Sequence, residues 1–232
     1  MKNIKKIIGI LAFFCIGITV ALIAARERHP YRNKNYQRDV LVIGCARSGT
    51  TYMASVFRKC GYRVGHEYLK RNGACSWEMT VDTEQVPWGH ARNGAPFKHI
   101  FHQVRHPLKT ITSCLGEPAQ SFVFIRKHLL EITPEDSLLT QCAKYWYYWN
   151  LKAEMQAEWT YCIENLEAVW DEMQIRLGRT FDRAVLNEVP KTTNSRGVSP
   201  SVTWTQLKAE LEPQLYENIC ALAQKYGYST EF

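Results

Sequence analysis

The stretch DVLVIGCARSGTTYMASVFRKC, residues 39–60, restricts the possible folds of this chain more than any other segment. Its apolar run, Val40 to Ile43, enters Gly44; four residues intervene before Gly49, and Thr50 and Thr51 then open a segment with Met53, Val56, Phe57 and Cys60 at helical spacing. An unbroken apolar run ended by glycine is the pattern of a strand buried on both faces of a parallel sheet. The glycine-rich turn exposes successive main-chain N–H groups, and the helix behind it adds the positive end of its dipole, so the turn suits an anion. Gly61 stops the helix, and YRVG, residues 62–65, reads as a second strand. One βαβ unit of this kind implies an α/β, P-loop-type three-layer fold around a central parallel sheet.

The charge in that loop is displaced. Nucleoside-triphosphate loops read G-x-x-x-x-G-K-[ST], and their lysine reaches the β- and γ-phosphates. Here Thr50 holds the lysine position, and Arg47 is the loop's only cation. A kinase or ATPase needs that lysine together with a magnesium site, yet the next long strand, FKHIFHQV at residues 97–104, runs into Arg105 rather than an acid. An arginine and backbone amides suit a transferring group of lower charge, such as a sulfuryl group. Ser48, Thr50 and Thr51 add hydroxyl donors.

Further along, residues 68–96, rich in Gly, Asn and Pro, read as a long loop or short helices, and loops of that length serve as lids or binding loops. Pro107 opens a helix, residues 134–158 form a long one, WTYCIENL at 159–166 a strand, and 167–178 another helix. Residues 179–203 are a second long loop, and Glu212-Pro213 begins a last helix that ends near YGY, residues 226–228.

The N-terminus stands apart. Residues 7–25 carry no charge, close to the ~20 residues needed to span a bilayer as a helix. A cleaved signal peptide has a shorter apolar core of ~7–15 residues and a small-x-small site, so an uncleaved single-pass anchor is favoured. Basic residues nearly balance on its two sides and select no orientation. Residues 1–38 are therefore an anchor and stem, and 39–232 the domain. Residues 1–38 also hold eight Lys/Arg against one Glu, which is the whole net charge of +7. The domain itself is neutral, which argues against a nucleic-acid partner. Seven of the eight cysteines lie in the domain without a C-x-x-C pair, pointing to buried thiols rather than a metal site.

A second constellation is QVRHPLKTITSC, which places Arg105 at a strand end and Ser113 eight residues later on the next helix. A planar guanidinium fork and a hydroxyl there suit one phosphate. Beside the first loop, this describes a ligand with two anionic ends.

GCARSGTT resembles the 5′-phosphosulfate loop of sulfotransferases that use 3′-phosphoadenosine 5′-phosphosulfate (PAPS). The likeness is strongest to the carbohydrate branch, where Arg replaces the Lys of the cytosolic KSGTT form. VRHPLKTITS looks like that family's 3′-phosphate motif, and WTYCIENL is similar to a later family strand. The resemblance covers about residues 39–170. It implies that residues 47–51 (Arg47, Ser48, Gly49, Thr50, Thr51) grip the 5′-phosphate and sulfuryl group, that Arg105 and Ser113 hold the 3′-phosphate, and that no metal is required. The acceptor would be a hydroxyl compound, with a carbohydrate as the candidate. Arg47 would neutralise charge on the bridging oxygen. A base must take the acceptor's proton: heparan-type enzymes use a glutamate just after the second strand, cytosolic ones a histidine. VGHE offers Glu67 first and His66 second. The long cytosolic glycine-rich basic loop is missing, and Arg196 in NSRGVS is the suggested substitute. His99 and His102 are assigned to packing. So is the aromatic run Tyr145–Trp149, with an acceptor platform as the lesser alternative. Two rival readings stay open: a P-loop kinase-like enzyme, and a non-catalytic anchored nucleotide-binding protein.

Overall fold

Val40, Leu41, Val42 and Ile43 are all fully buried, and alternate members face opposite sides of one sheet. Val40 and Val42 pack with Met53, Val56 and Phe57 on one face, whereas Leu41 and Ile43 meet Met79 and Ala153 on the other. The first strand is thus covered on both faces, as its unbroken apolar run requires. The computed structural model describes residues 35–193 and 201–230. The expected anchor and stem, and Arg196, lie outside the described residues. Among the described residues no helix is long and apolar enough to cross a membrane.

Five parallel strands form the sheet: β1 (Arg38–Ile43), β2 (Val64–His66), β3 (Gly73–Cys75), β4 (Phe97–Val104) and β5 (Trp159–Cys162), in the order β2-β3-β1-β4-β5. Helix α1 (Thr50–Lys59) lies on one face with α5 (Trp170–Leu177) and the short α6 (Val185–Glu188). The other face carries α2 (Pro107–Cys114), α3 (Ala119–His128), α4 (Leu138–Glu154), α7 (Trp204–Glu210) and α8 (Pro213–Lys225). The three-layer α/β expectation therefore holds.

Two departures matter for the site. The second strand covers 64–66 rather than 62–65, and the expected loop 68–96 contains β3, paired in parallel between β2 and β1. Parallel neighbours usually need a dozen connecting residues. Only six, 67–72, join β2 to β3. A three-residue strand is about 10 Å long, and six extended residues reach about 20 Å, so the return is possible. Gly65 makes it fit, because a Cβ there would lie 1.9 Å from the Tyr68 carbonyl oxygen. The strand was missed because three residues, Gly-Ala-Cys, carry too little pattern to read.

Other boundaries moved for local reasons. Ser137 caps α4 by accepting the Thr140 N–H, so this helix starts four residues later than Pro134. The WTYCIENL strand stops at Cys162 and tightens into a 3₁₀ turn over Ile163–Asn165. Glu164 leaves the strand direction there and accepts the His106 N–H at 3.0 Å and the Tyr228 hydroxyl at 2.8 Å. Helices α3 and α7 were not foreseen, although Thr203 and Gln206 form a capping box at the start of α7. The aromatic run on α4 is mostly core: Tyr145, Trp146 and Trp149 are fully buried. His102 is likewise buried between Thr160 and Asn150, while His99 pairs with Glu158 at 2.8 Å nearer the surface.

Candidate functional site

Between β1 and α1 the chain turns through Gly44–Gly49, and Gly49, at φ 96°, caps the helix. A Cβ on Gly49 would press on the Gln103 amide nitrogen and Ile163, both at 3.3 Å, in a backbone conformation that side chains disfavour. Four neighbours hold the loop in shape. The Ala46 N–H donates to the Tyr145 hydroxyl at 2.7 Å, and the Gln103 amide donates to the Ser48 carbonyl at 2.7 Å. Tyr161 in turn donates to the Gln103 side-chain oxygen at 2.7 Å, and Arg105 Nη1 donates to the Arg47 carbonyl at 2.9 Å. With its shape set from β4, β5 and α4, the loop leaves the opening amides of α1 without intrahelical acceptors, as a helix start must. Main-chain N–H groups at such a helix start are able to hold an anion.

Among the described residues, three other than glycine have positive φ: Arg47 (68°), Glu67 (58°) and Asn93 (43°). Each such residue costs of order 1–3 kcal/mol and persists where the surroundings enforce it, often at working sites. Two of the three are residues that the sequence assigned to chemistry.

Arg47 lies almost wholly out of solvent, with its Nε 2.8 Å from Ser113 Oγ and 3.6 Å from Glu117 Oε1. The sequence placed Arg47 and Ser113 at opposite ends of a ligand, whereas here they touch. Ser113 accepts this bond and keeps its own O–H free to donate, but it stands behind Arg47 and does not itself line the cavity that Arg47 lines. Ser48 also departs from expectation: its hydroxyl is buried with no hydrogen-bond partner, and its carbonyl, not its side chain, serves the site by accepting from Gln103.

His66 ends β2 and Glu67 follows it. His66 Nε2 lies 3.0 Å from the Thr51 hydroxyl and 3.3 Å from that of Thr50, so it ties β2 to the start of α1. Burial, then the nearby Arg58 and Arg47 charges, push its pKa down to about 4, and the ring is neutral at pH 7. Glu67 accepts a hydrogen bond from the Ser76 hydroxyl. Burial is the main cause that raises its pKa, with the Glu117 charge adding to it, against the lowering effect of the Ser76 bond.

These groups share one cavity of about 690 Å³, lined by Arg47, Gly49, Thr50, Thr51, His66, Glu67 and Arg105. Tyr52, Ile163, Leu166 and Leu186 supply an apolar wall, and Trp77, Trp88, Glu117 and Pro118 also line the space. The sequence does not point to Gln103, Tyr161 or Glu117, and it points to Tyr145 only as packing. Gln103 shares its strand with Lys98, His99 and His102 and does not stand out by polarity, and Glu117 leaves no local signal either. Among the described residues, no group of three His, Cys, Asp or Glu side chains is placed to hold a metal ion. No protein-family model matches the chain, and no curated protein matches it.

Proposed function

We propose that this cavity binds PAPS and that the protein transfers its sulfuryl group to an acceptor hydroxyl. The observation that carries this reading is convergence: an amide cradle without a lysine, the guanidinium of Arg105 and a basic-tuned carboxylate on Glu67 all face one space. The amides of α1 with Thr50 and Thr51 take the 5′ end, and Arg105, with the Ser113 hydroxyl as a further donor, takes the 3′-phosphate. The wall of Tyr52, Ile163, Leu166 and Leu186 suits a purine face.

Glu67 accepts the proton of the attacking hydroxyl as its oxygen bonds to sulfur. The bond from sulfur to the phosphate oxygen breaks, and its electron pair stays on that oxygen, where Arg47 meets the growing negative charge. Adenosine 3′,5′-bisphosphate and a sulfate ester are the products, and the proton passes from Glu67 to solvent.

Trp77, Trp88, Pro118 and Glu117 line the cavity with Glu67, Arg47 is already matched with Glu117, and Lys109 and Lys191 also reach the lining. Trp88 is 41 % exposed, with its indole N–H held by Ser121 at 3.2 Å. Such a surface favours an uncharged acceptor with a flat apolar face, such as a neutral sugar ring, over a polyanionic chain that would meet two glutamates. Residues 7–25 would hold the enzyme in a membrane, with PAPS supplied on the side of the domain.

Calorimetry tests the donor site. Adenosine 3′,5′-bisphosphate is expected to bind at least tenfold more tightly than ATP with magnesium, a margin of about 1.4 kcal/mol. Selective ATP binding would instead establish the kinase-like reading. Transfer of label from sulfur-labelled PAPS should be greater to neutral glycosides than to heparan-like chains. Nucleotide binding with no transfer to any acceptor in a broad panel would leave a binding protein.

A further inference from the structure

Glu78 belongs to no role assigned so far, yet it is fully buried, in a 3₁₀ turn just past β3. The register explains its neighbour. His66 pairs with Cys75 across β2 and β3, so Glu67 and Ser76 leave the two strands side by side, and Glu78 follows within one turn. The carboxyl groups of Glu67 and Glu78 come within hydrogen-bonding reach of each other.

Their oxygens divide unevenly. One oxygen of Glu67 takes the Ser76 hydroxyl, and one of Glu78 takes the Trp88 N–H at 2.7 Å. The remaining two, Glu67 Oε1 and Glu78 Oε2, are both buried and without a donor. His66 Nε2 approaches Glu67 Oε1 to 3.2 Å, outside hydrogen-bonding geometry. Two ionised carboxylates have nothing to donate, so this arrangement would leave two lone-pair faces and two like charges in one dry space. A single proton between them removes both faults.

We propose that Glu67 and Glu78 form a carboxyl pair sharing one proton, and that Glu78 is a positioning residue that holds this proton and keeps the cavity-facing Glu67 ionised. The proton belongs on Glu78 because Glu78 has no solvent contact, whereas Glu67 faces the cavity. From Glu78 it bonds to Glu67 Oε1 and orients the carboxylate, which keeps lone pairs for an incoming hydroxyl. Burial raises the pKa of both groups; the Glu67 charge raises that of Glu78 further, while the hydrogen bond from Glu78 lowers that of Glu67. The other groups facing the pair are His66 on β2, the Cys75 thiol on β3, and Glu117, itself matched by Arg47.

The pairing is tested without any assay of transfer, so its failure is separable from that of the sulfotransferase reading. Infrared titration of glutamate-labelled protein should show two carboxylic-acid protons lost in separate steps, both above the ordinary glutamate range. Glu78→Gln should leave one step, near the lower of the two. Glu67→Gln should also leave one, shifted down from the upper step because the repelling charge has gone; this second variant decides the matter if the first does not fold. An upper step that survives unchanged in Glu67→Gln, or no acid band at neutral pH, overturns the proposal. If transfer is also observed, Glu78→Gln should lose an alkaline limb of the pH–rate profile while keeping the acid limb. A uniform drop in rate with an unchanged profile would mark Glu78 as structural only.

Discussion

Glu67→Gln will lower the rate of sulfuryl transfer by about 10²- to 10⁴-fold, the usual worth of a positioned general base, while adenosine 3′,5′-bisphosphate binds as before. Glutamine keeps the shape and can still accept from Ser76, so the loss isolates basicity from packing. Single-turnover rates beside calorimetry of the nucleotide supply both halves of the measurement. His66 is the competing base, but a pKa pushed down to about 4 makes its neutral ring a weak proton acceptor, and its Nε2 is engaged beside the hydroxyls of Thr50 and Thr51. Parental activity in Glu67→Gln combined with loss in His66→Asn would move the base to His66.

Arg47→Ala should lower turnover by about 10²- to 10³-fold, the cost of removing one donor aimed at charge that develops during reaction. A second effect follows from the same contacts. Glu117 would lose the guanidinium 3.6 Å away while keeping its Ser121 contact. Arg47→Ala should therefore also lower the melting temperature, at less than the cost of about 3–5 kcal/mol that a fully uncompensated buried charge carries. Arg47→Lys should restore much of the melting temperature but less of the turnover, because an ammonium cannot reproduce the planar fork. Thermal unfolding and steady-state rates on the two variants separate these effects. Equal rates in Arg47→Ala and the parent would remove Arg47 from the chemistry.

The loop was readable because its signals are local. A buried parallel strand needs a continuous apolar run, and the turn after it needs glycine where φ is positive, so Val40–Ile43 and Gly49 announce themselves within a dozen residues. The strand at 97–104 and the proline-led helix at 107 were legible for the same reason, and both stand where expected. The short strands were not legible because they show no period, and the ten-residue α3 was not foreseen either. β3 has three residues, and its partner β2 was placed two residues early.

The sequence by itself determined the order of elements around the loop, the α/β class and the candidates Arg47, Arg105 and Glu67, because each rests on chemistry within one strand–turn–helix unit. Only the tertiary structure decided which of them meet. It brought Arg47 onto Ser113 and Glu117, turned the Ser48 hydroxyl inward, and set Glu78 against Glu67 across a six-residue return. Those contacts join residues up to 70 positions apart, and such partners are chosen by strand order and burial, which no local pattern encodes.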